Sequence, residues 1–164
     1  MYDRERKQEL LAKWMAVYAP DRKLLLLSEG EIFSLVNALE RIRNYGDHQK
    51  ISDEEVIYIL IAITPENEVP VYVGRATSLY NRWKAHLGGI QKGLGLYSQW
   101  CSLLFTNSMA ARYPLFLIVV PGSQIKLPPI SGFPVTVGAV EYQLVSLMAD
   151  AYPSMTLNHE GRFR

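Results

Sequence analysis

The fold of this chain is decided by the stretch VIYILIAITPENEVPVYV, residues 56–73. Its first eight residues form an apolar, β-branched run that is too short and too apolar for a surface helix, so they predict a buried strand. Residues 65–68 have the composition of a turn, and residues 69–73 are typical of a second strand. The sequence therefore predicts an antiparallel hairpin that Gly74 closes.

Apolar residues at helical spacing predict two helices before the hairpin. In residues 4–18 they alternate with charges, and Pro20 follows as a stop. Ser28 and Glu31 have the spacing of a capping box, which predicts that a second helix begins there and ends at the break at residues 44–46.

The chain after the hairpin is predicted to be mostly helical, with one more strand. Thr77 or Ser78 can cap a helix whose apolar face carries Leu79, Trp83, Leu87 and Ile90. The glycine-rich stretch 88–95 ends that helix and indicates a flexible connector. The remaining predicted elements are a helix at 98–112, a strand at 113–120, a proline-rich loop at 121–134 and a helix at about 137–152.

Length and composition indicate a single folded domain. The chain has 164 residues, is 49% hydrophobic and contains no low-complexity run, which fits one core of ordinary size. Cys101 is the only cysteine, so no internal disulfide can form, and the charged N-terminus lacks a signal-peptide pattern. The apolar runs are far shorter than the roughly 20 residues of a membrane span. We therefore expect a cytoplasmic protein without a membrane segment.

Charge is balanced over the chain but unevenly distributed. The formal net charge is +1, which gives no global attraction to nucleic acid. Residues 75–92 contain no Asp or Glu, whereas acidic residues concentrate in residues 53–68. A local cationic face is therefore expected, built from Arg75, Arg82, Lys84, His86 and Lys92.

An ordered series of polar residues is the strongest functional pattern in the chain. Zinc-finger spacing, a P-loop and a Gly-x-Ser-x-Gly nucleophile elbow are all missing from the sequence. The series is Tyr58 in the first strand, Tyr72 near the end of the second, Arg82 ten residues later, and His86 one helical turn further. Singly, such residues are usually sheet aromatics or part of a solvated helix face. Their order and spacing together favour a shared site.

Residues 71–87, VYVGRATSLYNRWKAHL, resemble the second half of the GIY-YIG nuclease signature. Three features are shared with that signature: the small Ala76 after the basic Arg75, Leu79 before the helical Arg82, and His86 four positions after Arg82. Residues 56–58 match the family's Gly-Ile-Tyr in its last two letters and depart from it at the glycine. Downstream, Glu141 in an amphipathic helix and Asn158 after a proline are similar to the family's ending. The resemblance covers residues 56–158.

The resemblance implies an α/β (α+β) fold with a small three-stranded mixed or antiparallel sheet flanked by helices. Within a single domain of residues 1–164, we expect a helical N-terminal extension at 1–50 and a nuclease core at 53–160. The core carries an insertion at about 93–135. The implied activity is that of a DNA endonuclease. The stand-alone size is similar to that of restriction-type members, and a homodimer is expected.

Phosphodiester hydrolysis needs countercharge for the phosphoryl oxygens and an activated water. The resemblance assigns Glu141 as the ligand of one divalent ion, Mg²⁺ or Mn²⁺, because Mg²⁺ often takes a single carboxylate and fills its shell with water and phosphate oxygens. Arg82 would hold the scissile phosphate with its planar donor fork. The residues expected to bind the substrate are Arg75, Lys84 and Asn158.

The tyrosines and His86 would handle protons. We favour Tyr58 as general base, with Tyr72 and His86 orienting the water, although the sequence does not decide between the two tyrosines. A phenol with its ordinary pKa of about 10 can act as a base near neutral pH only if cations lower that value. Period-two alternation should bring the Tyr58 hydroxyl close to Tyr72 and Arg82, around an open pocket that Glu141 also reaches.

Two alternatives to a restriction-type enzyme stay open. One is a structure-specific repair nuclease activated by branches, flaps or lesions. The other is a non-catalytic nucleic-acid-binding module that has kept the fold, for which the near-zero net charge is the best support.

Overall fold

Five α-helices and four β-strands make up the part of the chain that the computed structural model describes, residues 2–51 and 54–158. In chain order they are α1 (Tyr2–Tyr18), β1 (Lys23–Leu27), α2 (Leu35–Gln49), β2 (Val56–Ile63), β3 (Glu68–Ala76), α3 (Leu79–Lys92), α4 (Tyr97–Leu104), β4 (Leu115–Pro121) and α5 (Val137–Ala151). Among the described residues, no helix combines the length and the apolar composition that a membrane span needs. The predicted core limits at 53 and 160 lie outside the described residues.

The sheet has four antiparallel strands in the order β1-β4-β2-β3. The α+β class is confirmed, but the expectation of three strands is wrong. The fourth strand is β1, for which the sequence predicted no element, and it lies in the segment expected to contribute only helices. Its apolar KLLLL run pairs with β4 and so covers a strand that would otherwise be an exposed apolar edge.

The central strand β2 divides the core into two layers, as its alternation predicts. Tyr58, Leu60 and Ala62 face α2, α3 and α4, whereas Ile57, Ile59 and Ile61 face α1 and α5. Neighbouring strands flank β2 on both sides, and helices cover both of its faces. This double coverage explains why the strand is a continuous apolar run.

A β-bulge in β3 sets the direction of the second tyrosine. The register shifts between Leu60 and Ile61, so that Val71 is the extra residue on β3. Beyond the bulge, Tyr72 pairs with Leu60 and points to the α3 side, while Arg75 pairs with Ile57 and points to the α5 side. The bulge therefore places the two tyrosines on the same face of the sheet.

The predicted boundaries of α2 are wrong at both ends. Ser28 and Glu31 have the predicted capping contact, with the Ser28 N–H donating to Glu31 Oε1 at 2.9 Å, but they close a turn before the helix. The helix itself is capped by Ser34, whose hydroxyl accepts from the Asn37 N–H. It continues through the predicted break and ends at Gln49, and the next residue, Lys50, adopts a left-handed conformation.

The arginine helix α3 and the last helix α5 lie where they were predicted, but the segment between them differs. Ser78 caps α3 and Gly93 ends it, so Gly88 and Gly89 are helical and do not form the expected connector. The helix predicted at 98–112 stops at Leu104, and the chain turns back through short bridges.

Candidate active site

A glycine on β3, Gly74, leaves the space that Tyr58 occupies at the centre of the candidate site. Tyr58 pairs across the sheet with Gly74, and a Cβ at that glycine would overlap the Tyr58 hydroxyl oxygen and Cζ. Because Gly74 leaves this space, the tyrosine lies against β3 with 0% of its surface exposed. Its hydroxyl lies 2.8 Å from Nε2 of His86.

His86 is buried under the sheet, although its position beside Arg82 on α3 is typical of a solvated helix face. Only 5% of it is exposed, and its ring stacks on Trp100 with the centroids 5.1 Å apart. Its Nδ1 lies 2.8 Å from the hydroxyl of Tyr97. Both ring nitrogens of His86 therefore have hydrogen-bond partners, and the two partners are tyrosines.

Tyr72 lies beside Tyr58 and is the more accessible of the two tyrosines. Their ring centroids are 6.2 Å apart with the planes at 22°, and the Tyr72 hydroxyl contributes to the raised pKa of Tyr58. Tyr72 also contacts the rings of His86 and Trp100. Tyr72 is half-buried whereas Tyr58 is fully buried, so solvent meets Tyr72 first.

Charges and dipoles from three other predicted residues act on the Tyr58 hydroxyl. Burial is the largest cause that raises the pKa of Tyr58 far above its ordinary value, the Tyr72 hydroxyl and Glu141 raise it further, and Arg82 opposes them. Arg82 therefore acts in the direction that a general base would need, but the net shift of the pKa is upward because the desolvation of a phenolate outweighs the attraction of Arg82. Tyr58 is a neutral phenol at neutral pH.

His86 also remains neutral and adds no cation to the cluster. Burial and, to a smaller extent, the nearby guanidinium of Arg82 lower the pKa of His86 to about 4. A neutral imidazole has one protonated nitrogen and one free lone pair. His86 can therefore accept a proton from one tyrosine while it donates another to the second.

Arg82 lies at the solvent-facing side of the aromatic cluster. Its side chain is exposed, yet its charge lowers the pKa of Tyr58, His86 and Tyr97, so the guanidinium is near all three. Lys84 is also exposed, but two residues along a helix correspond to a rotation of about 200°. The structure thus brings Arg82 to the cluster and directs Lys84 away from it.

Glu141 approaches the site from the other face of the sheet, on α5. Its side chain is 28% exposed, and its Oε1 lies 3.4 Å from Nε of Arg75. Arg75 passes over the first turn of α5 at Gly138, where a Cβ would lie 2.8 Å from Nη1. Arg75 also lies 3.9 Å from a carboxylate oxygen of Glu55. It is thus engaged with two carboxylates, and its contact with substrate stays a prediction.

Glu141 is the residue of this site that the sequence predicted to bind a divalent cation. Within residues 2–51 and 54–158, no three His, Cys, Asp or Glu side chains lie close enough together to hold a metal ion. A hard cation that takes one carboxylate and otherwise binds water and phosphate oxygens does not require such a group. The partly exposed carboxylate of Glu141 fits that arrangement, with Arg75 as its competing partner.

Asn158 ties the end of the described chain to the edge of the sheet. Its Oδ1 accepts from the Val73 N–H at 2.8 Å and its Nδ2 donates to the Val73 carbonyl at 2.7 Å. The residue is 2% exposed, and the adjacent Leu157 N–H donates to the carbonyl of Val71. The amide of Asn158 is therefore used within the protein, and its contact with substrate stays a prediction.

Two aromatic residues of the cluster were not predicted from the sequence. Tyr97 and Trp100 lie three apart on α4, in the segment expected to be an insertion. Their spacing on one helix face after a glycine-rich stretch was the available signal, but aromatic pairs at that spacing are usually core residues. Their contact with His86 comes from tertiary structure, since α4 packs on α3.

Comparison with family models, with curated proteins and with solved structures gave no match for this chain.

Proposed function

We propose that this chain is a divalent-metal-dependent DNA endonuclease that hydrolyses phosphodiester bonds. One observation carries the proposal: the other three residues of the ordered series, together with Glu141, act on the hydroxyl of Tyr58. His86 lies at hydrogen-bonding distance from it, and Tyr72, Arg82 and Glu141 each shift its pKa. These residues come from β2, β3, α3 and α5, so their convergence is a property of the fold and not of chain proximity.

The phosphate-binding role falls to Arg82. Its guanidinium is exposed at the side of the cluster, and its planar fork suits two oxygens of one phosphate. The same charge stabilises additional negative charge on those oxygens as the bond to the attacking water forms. Glu141 would hold the cation, which supplies further countercharge when bound.

The general-base step is divided between the two tyrosines. Tyr58 is fully buried, so it cannot touch an attacking water in this conformation, whereas Tyr72 is half-buried and can. We therefore place Tyr72 in contact with the water and Tyr58 behind it. Because the Tyr72 ring lies beside that of Tyr58, we place Tyr58 as the group to which Tyr72 passes a proton when it takes one up from the water.

The biological setting that fits this chemistry is cleavage of both strands by a restriction-type enzyme in the cytoplasm. One site per chain cuts one strand, so a homodimer would place two sites on a duplex. Arg82, which is exposed on α3 beside the cluster, would contact the DNA backbone.

A titration of Mg²⁺ and Mn²⁺ against supercoiled plasmids of varied sequence tests the proposal. We expect metal-dependent cleavage into discrete fragments that a chelator abolishes. Cleavage confined to branched, flapped or damaged DNA would indicate a repair nuclease and overturn the restriction assignment. Retarded migration of intact DNA, with no nicking at any metal concentration, would indicate a binding module and overturn the enzymatic proposal.

A further inference from the structure

The His86 imidazole joins Tyr58 to a tyrosine that lies outside the ordered series. Its Nε2 is 2.8 Å from the hydroxyl of Tyr58, and its Nδ1 is 2.8 Å from the hydroxyl of Tyr97. Tyr58 is fully buried, whereas Tyr97 is half-buried at the start of α4. Tyr58, His86 and Tyr97 thus form a hydrogen-bonded row, and the half-buried Tyr72 lies beside its Tyr58 end, with the ring centroids 6.2 Å apart.

The packing of Tyr97 against α3 depends on a glycine. Its ring lies flat against α3 at Gly89, where a Cβ would overlap the ring atoms Cγ, Cδ2 and Cε2. The neighbouring Gly88 differs, because a Cβ there would meet nothing within 4 Å. Gly89 therefore gives Tyr97 the close approach that its hydroxyl needs to reach Nδ1 of His86.

We propose that Tyr97 is a positioning residue for the proposed nuclease reaction, holding His86 with its Nε2 free to accept the proton of Tyr58 and serving as the outlet of a proton relay. This inference rests on the proposed function. In this arrangement Nδ1 carries the hydrogen of His86 and donates it to the Tyr97 oxygen. Tyr58 then donates its own hydroxyl hydrogen to Nε2.

Every proton in the relay has a donor and an acceptor, and no buried group becomes charged. The O–H bond of the attacking water breaks and its proton goes to Tyr72, while the Tyr72 proton goes to Tyr58. The Tyr58 proton goes to Nε2 of His86, the Nδ1 proton goes to Tyr97, and the Tyr97 proton leaves to solvent. The electron pair of the broken O–H bond remains on the water oxygen, which becomes the nucleophile. Tyr58 thus takes part without becoming a phenolate, which its burial disfavours.

Tyr97→Phe removes the outlet with little change in shape. We expect kcat for plasmid cleavage to fall by about 10–100-fold, by analogy with the loss of a partner that orients a metal-ligating histidine, with KM unchanged. Tyr113→Phe, at a half-buried tyrosine of the same segment, is the matched control and should retain wild-type kcat. An unchanged kcat in Tyr97→Phe, or a change confined to KM, would overturn the relay.

A second pair of variants tests position without removing any polar group. Gly89→Ala should displace the Tyr97 ring and lower kcat as Tyr97→Phe does, while Gly88→Ala should leave kcat unchanged. Melting temperatures of both variants identify loss of folding. If both variants fold and have equal kcat, the close packing of Tyr97 on Gly89 is not what positions Tyr97.

The tautomer of His86 provides a readout that does not depend on activity. In the ¹⁵N NMR spectrum of the wild-type protein we expect a protonated Nδ1 and an unprotonated Nε2, and in Tyr97→Phe a shift of population towards the other tautomer. A wild-type Nε2–H tautomer would overturn the relay even if the enzyme is active. If the wild-type protein does not cleave DNA, the proposed function fails, and the NMR result still decides whether Tyr97 sets the His86 tautomer.

Discussion

The hydroxyl of Tyr58 lies 2.8 Å from Nε2 of His86, and both side chains are almost completely buried. A hydrogen bond between two neutral groups in such a place is stronger than one in water, and losing one partner leaves the other unsatisfied. This pair therefore has consequences for stability as well as for the proposed chemistry, and the two can be measured separately.

Tyr58→Phe removes one oxygen and leaves the packing of the ring in place. We expect the cleavage rate to fall by about 10²–10⁴-fold, as for loss of a general acid or base, because the relay is interrupted at its centre. Tyr45→Phe is the control, since Tyr45 is also buried and its hydroxyl donates to the Arg22 carbonyl, far from the site. Both variants should lose similar stability in urea unfolding. A Tyr58→Phe enzyme as active as Tyr45→Phe would refute the role of Tyr58.

Glu141→Gln keeps the shape of the side chain and removes its charge. We expect no cleavage in Mg²⁺, together with DNA binding close to that of the wild-type protein, because the proposed cation would be lost but not Arg82 or the other exposed basic residues. Glu31→Gln is the control, since Glu31 is a partly buried carboxylate paired with Arg41 at 2.8 Å. Cleavage by Glu141→Gln at the rate of Glu31→Gln would rule out Glu141 as the ligand.

Arg82→Ala removes the proposed phosphate donor from the side of the aromatic cluster. We expect a loss of roughly 2.7–4 kcal/mol in transition-state stabilisation, measured as kcat/KM, the range found when one preorganised donor is removed. Lys92→Ala removes an exposed cation from the last turn of the same helix and should have a much smaller effect. An Arg82→Lys enzyme with the wild-type rate would contradict the two-oxygen contact.

Because His86 is buried in its neutral form, we expect the protein to lose stability in mild acid. Burial lowers its pKa from 6.5 to about 4 in the folded protein, so between these values the unfolded chain binds more protons. The contribution is fully present above pH 6.5 and is lost as the pH falls towards 4, with a magnitude on the order of 3 kcal/mol. The difference in unfolding free energy between wild type and His86→Gln, measured at pH 7 and at pH 4.5, isolates it. A difference that does not change with pH would contradict the burial of a neutral imidazole.

Gly74→Ala tests whether the lack of a Cβ at Gly74 is what positions Tyr58. The added methyl group would overlap the Tyr58 ring and hydroxyl, so we expect about 1–3 kcal/mol of destabilisation, typical of overpacking, and a strong loss of cleavage. Gly46→Ala, inside α2 with nothing within 4 Å of its Cβ, should instead be neutral or stabilising. If Gly74→Ala is as stable and active as Gly46→Ala, the overlap is not what positions Tyr58.

The local elements around the candidate site could be predicted from the sequence because each is specified by nearby residues. The apolar β2 run, the turn before β3 and the Ser78 cap of α3 depend on periodicity and turn chemistry, which act over a few residues. For the same reason the two-sided alternation of β2 is confirmed. The capping contact at Ser28 and Glu31 also formed as predicted, but a local contact does not determine whether a helix follows.

Only the tertiary structure decided which of these residues meet and in what electrostatic state. The bulge at Val71 turns Tyr72 to the face of Tyr58, β1 completes the sheet through pairing with β4, and α4 brings Tyr97 to His86. The raised pKa of Tyr58 has the same origin, because it reflects how much water the packed helices and strands exclude. Sequence spacing specifies the order of chemical groups along the chain, whereas burial and register depend on distant segments whose packing no local pattern records.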